Sequence, residues 1–185
     1  MKKVLVMALV FLFVVGMFAT ALAAVKFDVK GQGSADKNYV NYFANQKPFN
    51  DGASTITQTV GADGVLAIKY ALQPKGWLGA TSEQFQEDWS AFTGLQFKVA
   101  GATNAKIRLE LYDGNGVSYE FLFVDDSAAG KLVTIPFSSF KARTDYQPAD
   151  VDPDQPFSLV PVKTLNISPL EGKGTIVFSE IKLYK

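Results

Sequence analysis

Apolar and polar residues alternate with a period of two along most of the chain beyond residue 24. Val25, Phe27 and Val29 alternate with Lys26, Asp28 and Lys30, which marks a strand with one face in a core and the other in water. The same reading predicts strands over 55–60, 65–72, 94–99, 107–112, 117–124, 132–137, 162–167 and 175–184. Turn chemistry separates them: Gly61-Ala62-Asp63-Gly64, Asp113-Gly114-Asn115-Gly116, Asp125-Asp126 and Gly172-Lys173-Gly174. No stretch sustains a 3.6-residue apolar period, so the pattern implies an all-β, antiparallel sandwich or barrel. Two stretches resist strand assignment: 31–52, polar but rich in aromatics, and 141–161, with Pro148, Pro153, Pro156 and Pro161. Long loops on a sandwich are where function tends to sit.

One hairpin can be taken further. Ile107, Leu109 and Leu111 share a face, as do Tyr119, Phe121 and Phe123; these six are the expected core set. Arg108, Glu110, Tyr112, Ser118 and Glu120 then face the other way. A three-residue loop, Asp113-Gly114-Asn115, would set Arg108 opposite Glu120, whereas a five-residue loop would oppose Glu110 and Glu120. Charge favours the first, so the three-residue loop is predicted.

The first 23 residues alter the picture. Lys2 and Lys3, an apolar run from Val4 to Phe18 and Ala21-Leu22-Ala23 have the layout of a secretory signal peptide, leaving 24–185 as one domain. The protein is therefore expected outside the cytoplasm, extracellular or periplasmic, with no membrane attachment after cleavage. Without the leader, 16 basic residues stand against 18 acidic ones, with no basic run. That balance argues against nucleic acid, whose phosphates need clustered Lys and Arg. Cysteine and histidine are both absent, so disulfides, imidazole-based triads and His- or Cys-ligated zinc sites are excluded. The fold rests on its apolar core, for which a domain of about 160 residues suffices.

The remaining chemistry lies in a few clusters. Trp77, among turn residues in Pro74–Gly79, either stacks on the apolar face of a sugar ring or plugs the edge of the core. Trp89 leads into a strand and belongs in the core. Arg143, Asp145 and Tyr146 put a guanidinium fork, a carboxylate and an aromatic ring in one loop. This suits vicinal hydroxyls, although Arg143 and Asp145 could also form a self-contained ion pair. Asp150, Asp152 and Asp154 make half a calcium loop, but Gln155 and Pro161 stand where an EF-hand needs other residues; a solvated acidic loop is the default. Glu110 and Glu120 share a face, as a glycosidase pair would, but pairing Glu120 with Arg108 works against a proton-donor role. No catalytic residue is expected.

The run Ile135-Pro136-Phe137-Ser138-Ser139-Phe140-Lys141-Ala142-Arg143-Thr144-Asp145-Tyr146-Gln147-Pro148 resembles family-11 carbohydrate-binding modules, in which a Pro-Phe-Ser-Ser-Phe leads into an Arg-x-Asp-Tyr-Gln-Pro loop. Asp88-Trp89-Ser90-Ala91-Phe92, Gly76-Trp77-Leu78-Gly79 and the closing strand 176–183 are similar to that family too. The resemblance implies a jelly-roll sandwich with a concave cleft for a β-glucan chain. It implies sugar contacts at Arg143, Asp145 and Tyr146, and Trp77 in place of a cleft tyrosine. Arg108, Glu110 and Tyr112 would line the same cleft. Two departures stand out. Leu165-Asn166-Ile167-Ser168-Pro169 lacks a further cleft tyrosine of the family, and Ser179, beside Glu180, replaces an aspartate that serves a structural calcium. The expectation is a secreted, non-catalytic module for a polysaccharide, with structural calcium an open option. The alternative is a secreted protein-binding or surface-structural sandwich that has lost the sugar site.

Overall fold

The computed structural model describes residues 28–185. Thirteen strands follow in chain order: β1 (Gly31–Gln32), β2 (Phe49–Asn50), β3 (Thr55–Val60), β4 (Val65–Ala71), β5 (Leu78–Thr81), β6 (Glu87–Asp88), β7 (Gly94–Ala100), β8 (Lys106–Tyr112), β9 (Ser118–Val124), β10 (Lys131–Pro136), β11 (Lys141–Ala142), β12 (Thr164–Pro169) and β13 (Lys173–Tyr184). Two 3₁₀ turns, Tyr39–Phe43 and Phe137–Ser139, are the helical elements among the described residues. Eight predicted strands coincide with β3, β4, β7, β8, β9, β10, β12 and β13 to within a few residues. The predicted leader and residues 25–27 lie outside the described residues. Residues 28–30 carry no strand; chain pairing starts instead at β1, which runs parallel to β6.

Two antiparallel sheets stack face to face, in the orders β10-β7-β13-β4-β3 and β11-β9-β8-β12-β5-β2. Period-two patterning dictates the stacking, because every second residue must leave water. Leu66, Ile68, Leu95, Phe97, Ile176 and Phe178 of the first sheet meet Ile107, Leu109, Leu111, Leu165 and Ile167 of the second, all buried. β13 lies in the middle of its sheet and slips register between Ser179 and Lys182, where Glu180 takes a φ of 54°.

A run of aromatic rings seals one end of the core. Trp89, fully buried as expected, packs on Tyr39 and Phe85 at 5.1 Å and on Phe137 at 5.8 Å. Phe137 in turn meets Phe140 and Phe157, and Phe157 stacks on Tyr119 at 4.4 Å. These rings fasten 141–161, nearly devoid of regular structure, at both of its ends. Beneath Trp89, the buried Glu87 carboxylate accepts from Lys37 Nζ at 2.6 Å, Tyr39 OH at 2.7 Å, Tyr42 OH at 3.0 Å and Trp89 Nε1 at 3.4 Å. That single acid stitches the segment before β2 to the sandwich.

The β8–β9 hairpin corrects the predicted register. Tyr112 pairs with Ser118 and Glu110 with Glu120, so five residues, 113–117, lie between the strand ends. The turn explains why. Gly116 N–H donates to the Asp113 carbonyl at 3.0 Å, with Gly116 at a φ of 82°, which favours glycine over the Asn115 of the predicted register. The buried Asp113 carboxylate accepts from the backbone N–H groups of Asn115, Val117 and Ser158, each at 2.9 Å. Three charge-assisted bonds of about 1.5–3 kcal/mol each outweigh one cross-strand pair of at most ~1 kcal/mol. The face assignment itself holds: Ile107, Leu109, Leu111 and Tyr119 are buried, and Phe121 and Phe123 pack against the core.

Candidate functional site

The outward face of the six-stranded sheet forms a groove of about 900 Å³. All seven residues singled out in the sequence line it: Trp77, Arg108, Glu110, Tyr112, Arg143, Asp145 and Tyr146. Strand order sets the layout. β2 and β5 put Phe49 and Trp77 along one edge, β11 leads into Arg143, Asp145 and Tyr146 at the other, and β8 and β12 supply the floor.

Trp77 sits on a tight turn in which Lys75 adopts a φ of 63° and Gly76 N–H donates to the Gln73 carbonyl. Its backbone N–H donates to Asp51 Oδ2 at 3.2 Å, and its ring lies 6.2 Å from Phe49 at 37°. With 57% of its surface exposed, Trp77 is no plug of the core. Gly79 underlies this pair: a Cβ there would run into the Phe49 ring and the Ser168 hydroxyl.

The opposite edge is built on charge. Because Glu110 and Glu120 stand side by side, each needs a cation of its own, and two arginines supply them. Arg108 Nε donates to Glu120 Oε2 at 2.6 Å, and Arg143 Nη1 to Glu110 Oε1 at 2.6 Å. Asp145 bridges both guanidiniums, accepting from Arg108 Nη2 at 2.9 Å and from Arg143 Nε and Nη2 at 3.0 and 3.2 Å. Hydrogen bonds from Arg143 hold the Asp145 carboxyl down at about 2 despite some burial, and the Arg108 charge adds to the effect. Burial alone would lower the Arg143 pKa, but the bonds to Asp145 and Glu110 drive it above the ordinary arginine range. Glu110, 2% exposed, also accepts from Ser118 Oγ at 2.5 Å and Asn166 Nδ2 at 3.2 Å. Burial pushes the Tyr112 hydroxyl's pKa up, helped by the Glu110 charge and by Tyr146.

Gln147 locks this loop in place. Its amide accepts from Ser118 N–H at 2.9 Å and donates to the carbonyls of Ser118 and Arg143 at 3.0 and 2.9 Å. Tyr146, 48% exposed, lies under the Arg143 guanidinium, 5.1 Å from its ring centroid. The Arg143–Asp145 pair that the sequence left open thus exists, but as part of a five-residue network and not as a self-contained pair.

The arrangement presents two exposed aromatic surfaces at opposite edges of a trough floored by hydrogen-bonding groups. Rings with alternating hydroxyls and C–H faces suit such a trough. Glu110 is not poised for proton transfer, because its oxygens are already taken by Arg143, Ser118 and Asn166. At the positions that the sequence raised for calcium, the acids are engaged within the chain: Glu180 is turned to Lys98 Nζ at 2.9 Å, and Asp152 accepts from Asp154 N–H and Gln155 Nε2.

Sequence reasoning missed Phe49, Thr81, Asn166 and Ser168, which also line the groove. The period-two rule could have found Asn166 and Ser168, since they alternate with the core residues Leu165 and Ile167. Phe49 carried no such signal, because β2 is two residues long.

Comparison with known proteins agrees with the sandwich fold. A family model described as "Carbohydrate binding domain (family 11)" matches residues 38–185. Endoglucanase H of Acetivibrio thermocellus is 29% identical over 145 residues, covering 72% of this chain; the match spans only 16% of that protein's length. A family 11 carbohydrate-binding module from Clostridium thermocellum, solved with a β-1,3-1,4-mixed-linked tetrasaccharide, superposes with a TM-score of 0.64 at 24% identity, over 75% of this chain and 87% of the module. The family 11 module of the cellulosomal cellulase Lic26A-Cel5E from the same organism gives 0.63 at 23% identity, over 75% and 86%.

Proposed function

This chain belongs to family 11 of the carbohydrate-binding domains, and from that premise we propose that its groove holds a single chain of a β-linked glucan without cleaving it. One observation carries the reading: Trp77 and Tyr146 stand exposed at opposite edges of one groove, with Arg108, Glu110, Tyr112, Arg143 and Asp145 between them. Ring stacking on the two aromatics supplies apolar contact, and the arginine–carboxylate network meets hydroxyls that both donate and accept. The relative solved with a mixed-linked tetrasaccharide makes mixed-linkage β-glucan the first polymer to test. The leader-like residues 1–23 support export and a working domain of 24–185. Among the described residues no helix is long and apolar enough to cross a membrane.

Affinity electrophoresis of the protein in gels containing soluble β-glucans tests the proposal. Retardation by at least one β-glucan, reversed by free oligosaccharide, is the expected result. Unretarded migration in mixed-linkage, β-1,4 and β-1,3 glucan gels would refute it and favour a protein partner.

A further inference from the structure

The arginines of the groove are already neutralised from within. Arg108 is met by Glu120 and Asp145, and Arg143 by Glu110 and Asp145, so three carboxylates surround two guanidiniums. Lys163 lines the same groove and brings the total to balance. Glu110 and Glu120 face each other directly in the β8–β9 register, and the two Arg–Glu pairs are largely shielded from water. An approaching hydroxyl finds what it needs here: N–H groups to accept from, and the half-exposed Asp145 carboxylate to donate to. An approaching carboxylate or sulfate meets three fixed anions and has to displace one from its arginine. Such like-charge juxtaposition is costly where protein walls keep the local dielectric low.

We propose that Glu120 is a positioning residue that sets the charge selectivity of this groove: by cancelling Arg108 it makes the site take uncharged glycans and refuse acidic ones. Glu120 is not among the residues lining the groove and acts through Arg108, whose Nε it accepts from at 2.6 Å. Replacing Glu120 by glutamine keeps an acceptor for Arg108 Nε but removes the charge. Arg108 keeps its bond to Asp145 through Nη2, but one positive charge of the groove is then no longer balanced from within and can meet an anion on the ligand. The inference rests on the groove being the glycan site, and it names which glycans that site admits.

The test uses two versions of one soluble β-glucan, matched in backbone and degree of substitution. One carries neutral hydroxyethyl groups and the other carboxymethyl groups of similar size. The parent protein is expected to bind the carboxymethyl form at least about tenfold more weakly, as for loss of one hydrogen bond to a charged group. In Glu120→Gln the ratio of the two affinities is expected to move toward the anionic polymer by roughly five- to tenfold, and the gain to fade with added salt. A merely structural role would shift both affinities together and leave the ratio alone. An unchanged ratio in Glu120→Gln overturns the proposal. So does a parent protein that binds the two polymers equally, a comparison that needs no variant to fold. Failure of the parent to bind any neutral glucan refutes the glucan reading instead; even then, no gain of anionic binding in Glu120→Gln overturns the role given to Glu120.

Discussion

Replacing Trp77 by alanine separates a binding role from a structural one, because the ring is so exposed. With 57% of the residue open to solvent, roughly 140 Å² of an indole side chain of about 250 Å² is uncovered. A sugar ring laid on one face removes about half of that, ~70 Å², worth ~1.8 kcal/mol at ~25 cal/mol per Å², or about twentyfold in Kd. The core should hardly notice. Trp77 touches Phe49 but lies outside the buried cluster, so Tm should shift by less than ~2 °C. Isothermal titration with a mixed-linkage oligosaccharide, beside a thermal melt of the same sample, measures both quantities. Trp77→Tyr should recover most of the affinity, since it keeps an aromatic face. Affinity within about twofold of the parent, or a loss of binding that merely follows a fall in Tm of about 10 °C, would refute the reasoning.

Other expectations follow from the same geometry. Glu87→Ala removes the acceptor of Lys37, Tyr39, Tyr42 and Trp89 and should cost ~3 kcal/mol, lowering Tm by about 6–12 °C in thermal melts. Burial raises the Glu87 pKa, but hydrogen bonds from Lys37, Tyr39 and Tyr42 outweigh it and leave the carboxyl below its ordinary value of 4.5. Its stabilisation is therefore present above pH 4.5 and lost as pH falls through the lowered value; melts of Glu87→Gln should show a shallower acid decline than the parent. Asp145, held by Arg143 and Arg108, should titrate near 2 by carbon-13 NMR, and a midpoint near 4 in the folded protein would mean that the network is open in solution. Gly79→Val should push the Phe49 ring out of its place at the groove's edge, costing about 1–3 kcal/mol in stability and lowering glucan affinity measurably more than an exposed control substitution such as Thr57→Val.

How far the sequence carried differs between fold and site, for physical reasons. Strands with one face in water advertise themselves, and β3, β4, β7 and β8 alternate cleanly enough to be placed almost to the residue. Leu78–Thr81 escaped because it is nearly all buried, with the small residues Gly79 and Ala80 at its centre, so no alternation survives to be read. The hairpin register failed because surface charge was weighed while the buried hydrogen bonds of Asp113 were not; two of them lie within the turn, and the third comes from Ser158, 45 residues away. The site fared similarly. Its members were named from the 143–146 loop and from the polar face of β8. Their joining into one network through Asp145 depends on strand order, which no local pattern contains.

The rings that pin residues 141–161 carry a further consequence. Phe140 and Phe157 anchor that long stretch in the core at either end, Ser158 N–H is tied to Asp113, and Gln147 clasps its middle to β9. The wall bearing Arg143 and Tyr146 is thus fixed before any ligand arrives, as a frame holds a window open. On the proposed glucan reading, association sacrifices little chain freedom on the protein side, so a few stacked rings and exchanged hydroxyl contacts would suffice for useful affinity. Calorimetry on warming should trace a heat-capacity change set by the small apolar area covered, with no added contribution from a loop that orders on contact.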